Sequence, residues 1–155
     1  MVLAAVGCGN GRPGLTPAVG KVTLNGEPLA DALVFVQPVQ TSAEGFRRPA
    51  SATTDAQGVY QLGTYDKGDG VPPGKYEVGV IKKINIGKQR EPGDERPDPP
   101  GAKYQWIVPE PYSHPESSGL TIEVTSSGIT PETLELKRLG DPQVTIPGQP
   151  GGNVP

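Results

Sequence analysis

The feature that most constrains this chain is its punctuation. Its 155 residues include 22 glycines and 19 prolines, and these break the apolar positions into short segments with a period of two rather than 3.6. Seven segments read as strands: 19–24, 32–37, 50–54, 59–62, 75–82, 120–124 and 133–139. Between the first two, Asn25-Gly26 is a hairpin-type turn, because both residue types tolerate positive φ. Asp55-Ala56-Gln57-Gly58 is a tight turn with Asp first and Gly last. Segment 32–37 is almost continuously apolar, as a strand covered on both faces would be. In 75–82, Tyr76, Val78 and Val80 point inward. Leu120, Ile122 and Val124 do the same in the sixth segment, and Leu134 and Leu136 in the seventh. The expected architecture is all-β: a seven-strand antiparallel β-sandwich with one long loop, 83–119, between strands five and six.

Composition narrows the function classes. The formal net charge is −3 and the isoelectric point about 5.2, which gives no electrostatic footprint for nucleic acid. No apolar run approaches the roughly 20 residues of a spanning helix. Two Phe, one Trp and five Tyr leave the core to Val, Leu and Ile. A single cysteine, Cys8, excludes an internal disulfide and any multi-cysteine metal site. The chain then divides into residues 1–8, an apolar segment ending at Cys8; 9–18, a flexible linker; 19–139, the sandwich; and 140–155, a Gly/Pro-rich tail expected to be disordered. Residues 41–49 read as a polar loop.

Small and apolar residues run straight into the cysteine: Ala5, Val6, Gly7, Cys8. This resembles the end of a bacterial lipoprotein signal peptide, in which small residues precede a cysteine whose thiol takes a diacylglyceryl group. The resemblance implies export, lipidation of Cys8 and membrane attachment. The stretch lacks a charged n-region and is too short for export alone, so a longer leader is expected upstream. Gly9 gives no inner-membrane retention signal of the Asp type, which makes an outer membrane or the periplasmic face the expected location.

Three further motifs follow in order. Gly20, Val22, Gly26, Pro28, Leu29, Ala32 and Val34 match G-x-V-x-x-x-G-x-P-L-x-x-A-x-V. Thr54, Asp55, Gly58 and Tyr60 match T-D-x-x-G-x-Y. Pro73, Gly74, Tyr76 and Val78 match P-G-x-Y-x-V. Together they resemble the carboxypeptidase regulatory-like domains, which have a transthyretin-like (prealbumin-like) fold. Residues 112–136 also look like the end of small bacterial lipoproteins with one such domain. The resemblance implies fold rather than chemistry. Enzymes of this fold that hydrolyse hydroxyisourate need clustered His and Arg and a C-terminal Tyr-Arg-Gly-Ser-type ending, and this chain has one histidine. Pilin-type relatives form a Lys–Asn or Lys–Asp isopeptide assisted by an acid. Lys21 and Glu77 are candidate members of such a bond; the last strand, 133–139, offers no Asn or Asp, and Asp141 lies just beyond it.

Other chemistry is sparse. Asp66 and Asp69, with Gly68 and Gly70, superficially suggest a calcium loop, but D-x-x-D lacks the alternating ligands and distal Glu of an EF-hand. Successive turns explain the same residues. His114 stands without a partnered nucleophile in the sequence pattern. No cofactor is expected. The charged run 88–98 alternates in sign and reads as solvated. In 83–119, Tyr104, Trp106 and Tyr112 could stack on sugar rings or peptides, or Trp106 and Ile107 could fold back as a plug over the core. The expected function is a non-catalytic, lipid-anchored cell-envelope module with a structural or protein-interaction role. The alternative is a carbohydrate- or peptide-binding module using 83–119. The expected partners are the membrane, through lipid on Cys8, and an envelope protein or glycan.

Overall fold

Strand β1 (Val19–Leu24) keeps the period-two pattern: Gly20 and Val22 are buried, and Val19 faces solvent. The turn after it has φ of 51° at Asn25 and 87° at Gly26, both in the left-handed region. It returns the chain as β2 (Glu27–Pro28), antiparallel to β1. A computed structural model describes residues 14–39 and 48–147. Cys8, residues 9–13 of the expected linker and 41–47 of the expected polar loop lie outside the described residues.

The chain then crosses to a second sheet: β3 (Leu33–Pro38), β4 (Ala50–Thr53), back to the first sheet as β5 (Val59–Gln61), and again to the second as β6 (Gly74–Ile81). Short strands β7 (Lys83–Asn85) and β8 (Tyr104–Trp106) precede a 3-10 turn at Glu110–Ser113. They are followed by β9 (Thr121–Thr125), β10 (Gly128–Thr130), β11 (Thr133–Leu136) and β12 (Val144–Thr145). One sheet has the order β11-β1-β2 with β5 also on β1; the second runs β10-β9-β6-β3-β4; the third is β12-β8-β7. The inward residues of the first two sheets meet in one core. Val22, Tyr60, Leu134 and Leu136 come from one side, and Val34, Val36, Val78, Val80, Ile122 and Val124 from the other. Each such aliphatic side chain contributes about 1.5–3 kcal/mol when fully buried.

The molecule is all-β, and it differs from the seven-strand expectation in four ways. It has twelve strands among the described residues: β2 and β10 are short hairpin returns onto β1 and β9, the 83–119 segment contributes β7 and β8, and the expected tail contributes β12 on β8. Strand β11 pairs with β1 in parallel, Val22 opposite Leu134, so the architecture is not purely antiparallel; β11 reaches β1 by leaving the five-stranded sheet. Backbone pairing is already present before residue 19. Thr16 exchanges both backbone hydrogen bonds with Val71, at 2.8 and 3.0 Å, and Ala18 is fully buried. Finally, β3 is covered on one face only: Val34 and Val36 are buried, while Leu33 is 41% exposed and Phe35 lies over its cross-strand neighbour Gly79. A strand can be central in hydrogen-bonding order and still have a solvated face.

The crossings between the two main sheets converge on Thr54, a buried hydroxyl. Its Oγ1 donates to Leu29 O at 2.6 Å and accepts from Ala32 N at 2.9 Å. Its backbone bonds Ala32 O and Asp31 N. Next door, the Asp55 carboxylate accepts from Gln57 N and Val59 N, each at 2.9 Å, and closes the β4–β5 turn. Gly58 completes it at φ 76°, where a Cβ would stand 2.5 Å from Val22 O. Thus Thr, Asp and Gly of the second motif each have a structural task.

Two predictions follow from these contacts. Thr54→Val keeps the shape but leaves a buried N–H and a buried carbonyl unpaired, and should destabilise the fold by about 2–4 kcal/mol. Thr54→Ser should retain most of that stability in urea denaturation; equal losses would refute the hydrogen-bonding role. Tyr60 is the opposite case. Its hydroxyl is buried without a hydrogen-bond partner among the described residues, and burial raises its pKa. Tyr60→Phe should therefore be neutral or stabilising by up to about 1 kcal/mol, and a clear loss of stability would reveal a hidden partner.

Candidate functional site

The 83–119 segment is organised by one strand pair. Lys83 lies opposite Trp106, and Asn85 opposite Tyr104. Residues 104 and 106 share a face of β8, and the Lys83 ammonium sits 4.5 Å from the Tyr104 ring centroid and 5.2 Å from that of Trp106. Such a contact is worth about 0.5–1 kcal/mol at an exposed site. The polar tips are also engaged. Trp106 Nε1 donates to Thr145 Oγ1 at 2.9 Å, and the Tyr104 hydroxyl donates to Asp98 Oδ1 at 2.8 Å. That carboxylate, paired with Arg90 at 2.9 Å, raises the Tyr104 pKa, chiefly through the hydrogen bond. Past β8 the chain dives inward: Val108 is fully buried and Ile107 packs against the core.

Pro109 and Pro111 then shape the 3-10 turn, which carries Tyr112 to the end of β11. The Tyr112 hydroxyl accepts from Lys137 N at 3.2 Å. Between these elements lies a groove of about 390 Å³, with Trp106, Pro109, Pro111, Tyr112 and Leu139 as its apolar wall and Lys137, Arg138 and Asp141 as its charged groups. Arg138 is anchored from three directions. Its N donates to Asn25 Oδ1 at 3.0 Å, its O accepts from Asn25 Nδ2 at 3.3 Å, and its Nη1 donates to Ile107 O at 3.0 Å. Its Nε is buried and unpartnered among the described residues. Leu139 is 95% exposed.

Of the three aromatic candidates, Trp106 and Tyr112 meet at this groove and Tyr104 does not line it. Plug and groove wall coexist: Val108 and Ile107 fill the core, while the edge of Trp106 stays at the surface, 8% exposed. Sequence reasoning missed Arg138 and Leu139, which fell within the expected strand 133–139. Continued alternation would turn Arg138 inward and Leu139 outward, an inversion of what a half-buried strand wants; β11 in fact stops at Leu136.

A second groove, of about 760 Å³, runs along the β4–β5 corner and is walled by the 63–68 loop, which carries Tyr65 and Asp66. Asp69 organises that loop. Its carboxylate accepts from Thr64 N at 2.6 Å, Tyr65 N at 3.1 Å and Asp66 N at 2.9 Å. Partial burial raises its pKa, but those amide bonds outweigh it and leave the group below the ordinary carboxylate value. Asp69 is thus a loop cap, and among the described residues no three His, Cys, Asp or Glu side chains gather as metal ligands. His114 is exposed, and its carbonyl accepts from Ser117 N and Ser118 N in a turn. Lys21 and Glu77 lie on the outward faces of different sheets, Glu77 bonded to Gln37, and Asp141 lines the Trp106 groove, so the three isopeptide candidates are not brought together. No family model, no curated protein and no solved structure matches this chain.

The Asp69 cap has a pH signature. An Asp with its folded pKa below the unfolded value of about 3.9 stabilises the fold above that value and loses the effect as pH falls through the folded pKa. Asp69→Asn should lower the melting temperature at pH 7, and the gap to the parent protein should narrow as pH drops below about 4. A gap independent of pH would show that the carboxylate charge plays no part.

Proposed function

We propose that this chain is a non-catalytic, lipid-anchored module of the bacterial cell envelope, a transthyretin-like sandwich that presents the Trp106–Tyr112 groove to a partner. The observation that carries this reading is polarity along β1. The described chain enters beside Thr16, paired with Val71, at the end where β1 begins. The groove sits at the other end, where Asn25, just past β1, binds Arg138. Six residues of strand separate the two ends by about 20 Å. A lipid on Cys8 holds the entry end toward the bilayer and leaves the groove facing the partner side.

Other features support the fold and the absence of chemistry. The residues of the three motifs occupy the Asn25–Gly26 turn, the Asp55 turn and the start of β6 at Gly74. Polar groups that could have been reactive are engaged in architecture: Thr54 and Asp69 bind backbone, and Asp98 binds Arg90 and Tyr104. Two acyl chains anchor a protein durably where one gives marginal binding.

Expressed with an intact lipoprotein leader, the parent protein should pellet with membranes and incorporate labelled palmitate, and Cys8→Ala should appear in the soluble fraction. Unchanged membrane association of Cys8→Ala would overturn the anchor.

A further inference from the structure

We infer that the Trp106–Tyr112 groove binds an extended, proline-containing peptide through a carboxylate that the peptide carries, with Arg138 as the receiving group. The inference rests on the reading of this groove as the partner surface of a non-catalytic module, and it assigns that surface a ligand class.

Three observations carry it. The first concerns charge. Lys137 and Arg138 are adjacent in the groove against one acid, Asp141, and neither cation forms an ion pair among the described residues. The second concerns Arg138. Its Nη1 is committed to Ile107 O, while Nε and Nη2 have no partner among the described residues, and Nε is buried. Nε is closed off from the surface, and Nη2 is the donor left open to a ligand. A guanidinium N–H donating to a carboxylate makes a strong, charge-assisted hydrogen bond, and the Asn25 and Ile107 bonds hold the arginine in place beforehand. The third concerns the apolar wall, which separates a peptide from a sugar. A sugar platform needs an open aromatic face. Trp106 is 8% exposed, its ring is engaged by Lys83 and its Nε1 by Thr145. What remains open is a notch of Pro109, Pro111 and half-buried Tyr112 beside the protruding Leu139, with Trp106 largely covered. Aromatic-lined notches of this kind take the ridges of an extended proline-containing chain, whose backbone loses little freedom on docking.

Trp106 is the chain's one tryptophan, so its fluorescence reports on the groove. The test titrates the full chain carrying Cys8→Ala with the tetrapeptide acetyl-Ala-Pro-Leu-Pro as free acid, and separately as C-terminal amide. The free acid should give a saturable change in emission, with the amide about tenfold weaker. Arg138→Gln should abolish the preference for the acid. Because Arg138 also ties down Asn25 and Ile107, Leu139→Ser provides a second variant at an exposed position; it should weaken acid and amide alike.

Equal affinity for acid and amide, with Leu139→Ser still weakening both, would overturn the carboxylate assignment while leaving the groove as the partner surface. A response untouched by Leu139→Ser would overturn the groove itself. Silence to both peptides up to about 5 mM would overturn the peptide as ligand. A saturable response to trigalacturonic acid with peptide silence would replace the peptide by an acidic sugar. None of these outcomes depends on the anchor, which is read separately from the fractionation of Cys8→Ala.

Discussion

Thr54 is where the two main sheets are held to each other. The chain leaves the first sheet after β2, through Leu29 to Ala32, and returns to it after β4, through Thr54 and Asp55. One buried hydroxyl and one backbone unit tie the outgoing crossing to the returning one, with the hydroxyl bonds at 2.6 and 2.9 Å. Crossing segments carry backbone polar groups into a region without water, and every such group needs a partner. A short β-branched side chain with one donor and one acceptor meets that need and fits a strand as well. The Asp55 turn, the Gly58 approach to Val22 and the packing of Tyr60 across Gly20 all lie within a few residues of this junction.

The groove depends on the same architecture at one remove. Its cationic side is the chain just past β11, and β11 stands where it does because it pairs in parallel with β1. Asn25, in the turn that ends β1, then reaches Arg138 through both of its amide atoms. The aromatic side comes from β8, held between β7 and β12. A pocket built from three separate strand ends requires no mobile lid to form.

Several candidate residues acquired structural tasks once their neighbours were known. Asp66 and Asp69 looked like a cation loop because oxygen ligands and turn residues share a composition. The three backbone amides on the Asp69 carboxylate show the turn role. Tyr104 looked like a stacking platform because it lies in an aromatic run, yet Lys83 and Asp98 occupy it. Trp106 and Tyr112 were candidates in the sequence together with Tyr104, with a core plug as the other reading of Trp106, and only the fold brings the two to one groove. Arg138 was not a candidate, because an arginine near a strand end reads as an ordinary solvated charge.

What the sequence by itself determined is local. Period-two alternation set the inward residues Val78, Ile122 and Leu134, and turn chemistry set Asn25–Gly26 and Asp55–Gly58, because both depend on neighbours a few residues apart. Tertiary structure alone decided the parallel β1–β11 pairing, the strand character of 83–85, 104–106 and 144–145, the solvated face of β3 and the meeting of Arg138 with Trp106. These rest on partners far apart in the chain: Trp106 bonds Thr145 across 39 residues, and Asn25 bonds Arg138 across 113. A three-residue strand has too short a period to announce itself. It exists because a partner strand completes its hydrogen bonds, and the position of that partner is a property of the whole fold.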